Sequence, residues 1–182
     1  MAKKNDAEKK VRLFENDVTI TGKHATYIKF LVNEAKLYND YIDVYMNGAV
    51  FGYLYSVKAD KDNESSDRAR IYADAFSNHR DDCMFLYRLI MLLDEKDIDT
   101  EERLNRAFRY DADPNKSDIV QECVDTFNAY MRGGVEYMYN TFTAGCTSRD
   151  DYIRRSVEVS KKFKEEIEGV SYEDKINKLL GR

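Results

Sequence analysis

Proline is almost missing from this chain: Pro114 is the single one in 182 residues, and only eight glycines accompany it. Proline and glycine are the usual punctuation of helices, so their scarcity leaves few obligatory stops and predicts long helices. Cysteine is equally sparse. Cys83, Cys123 and Cys146 are odd in number and widely spaced, which argues against a disulfide framework, and a thiol on an apolar helical face behaves as a small hydrophobe. Long hydrophobic runs are lacking too. The longest, Cys83 to Leu93, has eleven residues and includes Arg88, against the about 20 apolar residues needed to cross a bilayer. No membrane segment is expected. The first residues, Met-Ala-Lys-Lys-Asn-Asp, hold neither the apolar stretch nor the cleavage site of a secretory signal, so the expected location is cytoplasmic.

Motifs that carry chemistry are lacking as well. The glycines never form the spaced sets that cradle dinucleotides, and there is no serine-nucleophile elbow. Thr21-Gly22-Lys23-His24 resembles the end of a phosphate-binding loop. That loop, however, needs a glycine where Asp17 stands and a Ser or Thr where His24 stands. His79 and Cys83 are four residues apart on an expected helix, beside Asp82, but two ligands do not make a metal site. The acidic run of Asp94, Glu95, Asp97, Asp99, Glu101 and Glu102 begins like a calcium loop and lacks both its turning glycine and its terminal glutamate. No cofactor, metal or catalytic residue is expected, and the chain reads as a non-enzyme.

What is present is a core and a dense surface charge. Apolar residues make up 43% and charged residues 35%, with a mean hydropathy of -0.68, the balance of a globular domain. The net charge of -5 repels phosphate backbones, so any nucleic-acid contact would need a local basic patch.

These features predict an all-α fold: a single-domain helical bundle of about six to seven helices, with room for a short N-terminal β-hairpin. Residues 1–10 read as a flexible basic tail, 11–168 as the helical domain, and 169–182 as a short C-terminal helix docking on the body or on a partner. Val11 and Leu13, then Val18 and Ile20, alternate with polar residues around Glu15-Asn16-Asp17 and give the hairpin. Tyr27, Ile28, Leu31, Val32 and Ala35 mark a helix opened by Thr21 or Gly22. A second runs from about Asn39 to Lys58, where Gly48 and Gly52 signal either a close helix crossing or a break. Residues 59–68 read as a solvated loop. Cys83 to Leu93 is apolar nearly all round, the mark of a central helix with neighbours on every side. Asp99 caps the next helix, with Leu104, Ala107 and Phe108 inward, and it ends before Pro114. From Ser117 a helical pattern continues to Phe142 through Gly133-Gly134, read as a kink or close packing. Ser148 opens a further helix with a thin apolar face.

Function is read from composition alone. The 14 tyrosines offer large contact area with a polar end, as protein interfaces do. Tyr38, Tyr41, Tyr45, Tyr137 and Tyr139 are the expected partner interface. The preferred reading is a non-enzymatic helical protein-interaction module, an adaptor or regulatory subunit docking on another protein or on itself as a homo-oligomer. The alternative is a nucleic-acid-associated protein binding DNA or RNA through Lys23, His24, Arg68, Arg70, Arg103, Arg106 and Arg109. Four-residue charge pairs such as Glu102 with Arg106 favour an ordinary solvated surface over such a patch. Arg88, among apolar neighbours, is expected in a structural ion pair, with a ligand clamp as the sharper option.

Overall fold

The structure, a computed structural model, describes residues 11–94 and 98–168. The expected basic tail and the C-terminal helix within 169–182 lie outside the described residues. The fold is mostly helical, 69% by residue, with seven helices and a small two-stranded sheet among the described residues. In chain order these are β1 (Val18–Thr21), α1 (Lys23–Lys29), α2 (Tyr41–Leu54), β2 (Arg68–Ile71), α3 (Ala73–Asn78), α4 (Arg80–Leu93), α5 (Thr100–Phe108), α6 (Ser117–Thr143) and α7 (Arg149–Glu168). The chain forms two compact units, Met1–Tyr139 and Asn140–Arg182.

In the first unit, β1 pairs antiparallel with β2 in the register Val18 to Ile71 and Ile20 to Ala69. The expected hairpin is therefore corrected: the partner of β1 is a strand far downstream, and Val11 and Leu13 are not in a strand. The physical reason is Phe14. Its backbone turns into the left-handed region at φ 56°, and its ring stacks on Phe76 at 5.9 Å and meets Phe127 edge-on at 5.8 Å. A bulky residue there costs about 1–3 kcal/mol, which this ring burial offsets. Residues 11–17 thus cross the core as a strap instead of folding back on β1.

Glycines decide how α2 meets α6. A Cβ on Gly134 would lie 2.5 Å from the Gly52 nitrogen and closer still to the Gly48 carbonyl oxygen. One on Gly52 would lie 2.6 Å from the Tyr130 carbonyl carbon. Of the two expectations for Gly48 and Gly52, close crossing holds, and α6 passes through Gly133-Gly134 as one helix. Around this crossing the buried rings of Tyr45, Phe76, Tyr87 and Phe127 fill the core. α2 begins at a reciprocal cap between Asp40 and Asp43, shorter at both ends than the apolar pattern suggested.

The helix after β1 widens beyond Lys29 into a π-helical turn, Phe30–Glu34, in which the Ala35 amide bonds the Phe30 carbonyl at 2.9 Å. The expected solvated loop is tied down at several points. The Ala59 amide donates to the Ala129 carbonyl at 3.0 Å, Arg132 Nε donates to the Ala59 carbonyl at 2.9 Å, and Asp62 accepts the Lys23 amide at 2.6 Å.

The second unit holds the end of α6, a turn at Gly145 with φ 72°, and α7. Ser148 and Asp151 cap α7 reciprocally, as expected at Ser148: the Asp151 carboxylate accepts the Ser148 amide at 3.0 Å and the Asp151 amide donates to Ser148 Oγ at 3.3 Å. Arg155 Nε reaches the Thr141 carbonyl at 3.1 Å.

Candidate interaction surface

α4 carries two apolar faces, and only one of them is covered. Cys83, Tyr87, Ile90 and Met91 recur at helical spacing and are buried. Phe85, Leu89 and Leu93, one turn apart on another face, are 64%, 37% and 41% exposed. This corrects the expectation of a central helix wrapped on all sides. α5 lies along α4, started by Asp99, whose carboxylate accepts the Glu101 amide at 3.1 Å. Arg103 Nη1 secures α5 by donating to the Leu92 carbonyl at 3.2 Å. Of the α5 residues expected inward, only Ala107 is buried; Leu104 and Phe108 are 37% and 48% exposed. An alanine at the contact brings α5 close enough that its larger side chains splay to either side.

The result is a groove of about 480 Å³ with Met84, Phe85, Leu89, Leu92 and Phe108 as its walls, Asp81 at one end and Arg88 within it. The Arg88 guanidinium lies over the Phe108 ring at 5.5 Å and 3.9 Å from Asp111. The expected ion pair is thus present but long, shared with a ring contact. Asp81 and Asp82 at the N-terminal end are both exposed. Taking about 200 Å² per phenylalanine side chain, the two ring exposures leave roughly 220 Å² of aromatic surface in water. Covering that area would contribute about 5 kcal/mol before the costs of association.

Each tyrosine of the expected interface makes contacts within the fold. Tyr45 is corrected outright: it is 2% exposed, and its hydroxyl donates to Asn128 Oδ1 at 2.9 Å. Core packing and one hydrogen bond use the whole residue, so nothing of it faces a partner. Tyr38 donates to the Met138 sulfur at 3.3 Å, and burial pushes its phenol up to about 12. Tyr41 accepts a bond from Asn33 at 3.1 Å. Tyr137 stacks on Tyr55 at 4.1 Å and Tyr139 on Tyr27 at 3.9 Å. Tyr137 and Tyr139 are thus engaged in intramolecular ring pairs.

The candidate nucleic-acid cations are engaged within the fold. Lys23 pairs with Glu136 at 2.9 Å, and that hydrogen bond raises the lysine above its ordinary value. His24 is 0% exposed, with Nε2 on Glu136 at 2.8 Å and Nδ1 buried without a partner. Burial holds the imidazole below its ordinary value, outweighing the Glu136 carboxylate. A ring so enclosed meets no external anion. Arg70 is held by Asp17 through Nε at 3.0 Å, Arg106 by Glu102 at 3.0 Å, Arg109 by Asn105 at 2.8 Å, and Arg68 by the Asp67 carbonyl at 3.3 Å. Among the described residues no cluster of His, Cys, Asp and Glu could hold a metal ion, and no helix is long and apolar enough to cross a membrane.

The α4–α5 groove escaped the sequence reading because an apolar stretch reads the same whether a second face is covered or bare. The chain matches no protein-family model, no curated protein and no solved structure at a significant level.

Proposed function

We propose that this protein is a non-enzymatic helical interaction module whose α4–α5 groove receives an amphipathic helix from a protein partner. The observation that carries the reading is the row Phe85, Leu89, Leu93 beside Phe108, bare aromatic and aliphatic side chains at one-turn intervals. That is the pattern an inserted helix reads with its own i, i+3/i+4 and i+7 residues. A methionine in the wall, Met84, supplies an adaptable surface. Asp81 and Asp82 give the groove an acidic end, so the partner helix carries Lys or Arg where it passes them. The nucleic-acid reading has less behind it, since Lys23, Arg70 and Arg106 each face a carboxylate.

The test is a selection of helical peptides from a display library on the full chain, with Phe85→Glu as the counter-protein. Peptides with apolar residues at one-turn spacing and a basic end, bound at micromolar strength and at least tenfold weaker by Phe85→Glu, support the reading. Equal binding to both proteins, or no enrichment, overturns it. So does sedimentation showing that Phe85→Glu dissolves a homodimer, which would make the occupant a second copy.

A further inference from the structure

A second recess lies in the first unit, beside the strap of residues 11–17. It has a volume of about 310 Å³, at the lower end of the range for small-molecule sites. Val11, Val18 and Val124 supply apolar walls, and Tyr45 and Asn128 supply a polar floor. We infer that this recess is a binding site for a small neutral molecule with an apolar body and a single hydrogen-bond acceptor, such as an aryl ketone.

Each part of that description comes from a residue. The Tyr45 hydroxyl donates to Asn128 Oδ1 at 2.9 Å. This fixes the amide and leaves its nitrogen, which bonds no other described residue, as a donor toward the recess. A donor beside those apolar walls favours an acceptor over a hydrocarbon of the same shape, which would leave the amide unpaired. Charge is disfavoured. The one charged lining group, Arg12, stands at the rim, 69% exposed and 3.6 Å from Glu15, so it offers no uncompensated charge inside. Gln121 is engaged with Asp125 at 3.0 Å through its nitrogen.

The strap has the mechanics of a cover. Its middle is pinned by the Phe14 ring with the backbone at φ 56°, an arrangement that collects at ligand clamps and moving segments. Its downstream half is held by exposed contacts: Glu15 to Arg80 at 3.0 Å, and Asp17 to Arg70 and to the Ala73 amide at 2.7 Å. Exposed ion pairs are individually weak, so the buried Leu13 and the Phe14 ring do most of the holding.

Acetophenone, ethylbenzene and benzoate are the probes, titrated into the full ¹⁵N,¹³C-labelled chain. The expected result is saturable binding of acetophenone in the millimolar range, the strength that so few atoms allow. It shifts the Asn128 side-chain amide and the Val18 and Val124 methyl resonances. Ethylbenzene and benzoate bind at least threefold more weakly. Val124→Phe, which fills the recess from a half-buried position, abolishes the shifts while keeping the wild-type circular dichroism. No saturable shift in the wild-type chain overturns the site. Equal affinity for ethylbenzene overturns the acceptor, and tighter benzoate overturns the neutral ligand. None of these three results bears on the α4–α5 groove, which Phe85→Glu tests separately.

Discussion

Gly134→Ala adds one methyl group where α6 meets α2, and its cost follows from the neighbours of that methyl. The new carbon would sit 2.5 Å from the Gly52 nitrogen and 2.7 Å from the Gly48 carbonyl carbon, below the 3.0 Å that real Cβ atoms keep. Both neighbours are backbone, so no rotamer change relieves the clash and the helices must part by about an ångström. Overpacking of this kind costs about 1–3 kcal/mol, and parting the helices also loosens the contacts of Gly52 against Tyr130. Against this, alanine in a helix interior gains about 1 kcal/mol over glycine. With backbone on both sides of the clash, the steric loss exceeds the propensity gain. The net expectation is a loss of up to about 2 kcal/mol, a fall in Tm of up to roughly 8 °C for a chain of this size. Urea and thermal unfolding followed by far-UV circular dichroism measure it, with helix content at low denaturant as the check on folding. Unchanged or higher stability would mean that propensity wins, and the account of the crossing would be wrong.

Two further expectations rest on single side chains. His24 is neutral in the fold because burial lowers it from 6.5. Below that pH the unfolded chain takes up the proton first, so stability is full above 6.5 and is lost as the pH falls through the depressed folded value, by at most about 1.4 kcal/mol per pH unit. Urea midpoints across pH 7.5 to 5.5 should fall for the wild type and flatten in His24→Gln; a wild-type midpoint that rises on acidification refutes the sign. Asp99→Ala removes the acceptor of the Glu101 amide at the start of α5 and should cost about 1 kcal/mol; a loss below about 0.3 kcal/mol in chemical denaturation would show that this cap contributes nothing.

Helix type and position were legible wherever a periodic apolar row met a capping residue. Asp99 and Ser148 are examples, because a cap is a local interaction that the sequence carries within four residues. The sheet was not legible. Val18–Thr21 shows alternation, but its partner Arg68–Ile71 lies about fifty residues away, beyond a polar loop whose anchoring by Ala129 and Arg132 is a tertiary fact. Local pattern placed the strand's mate at the nearest alternating residues, Val11 and Leu13, and could not foresee that Phe14 would turn the chain into the core. The candidate groove was hidden for a different reason. Phe85 and Tyr87 are equally large and aromatic, yet one is 64% exposed and the other 1%, because only the Tyr87 face of α4 meets Phe14 and Phe127. Tyr45 shows the converse error, a residue read as a contact surface because its type is common at interfaces.

Where α2 crosses α6, peptide groups rather than side chains set the spacing. Substitutions elsewhere in the interior can accumulate without moving this junction, while Gly48, Gly52 and Gly134 at the crossing, and Gly133 against the Val57 and Lys58 backbone just past α2, leave no room for drift. Distant kin of this chain should therefore be sought by that signature, two small residues a helical turn apart and an adjacent small pair far downstream, even when the rest of the text has become unreadable.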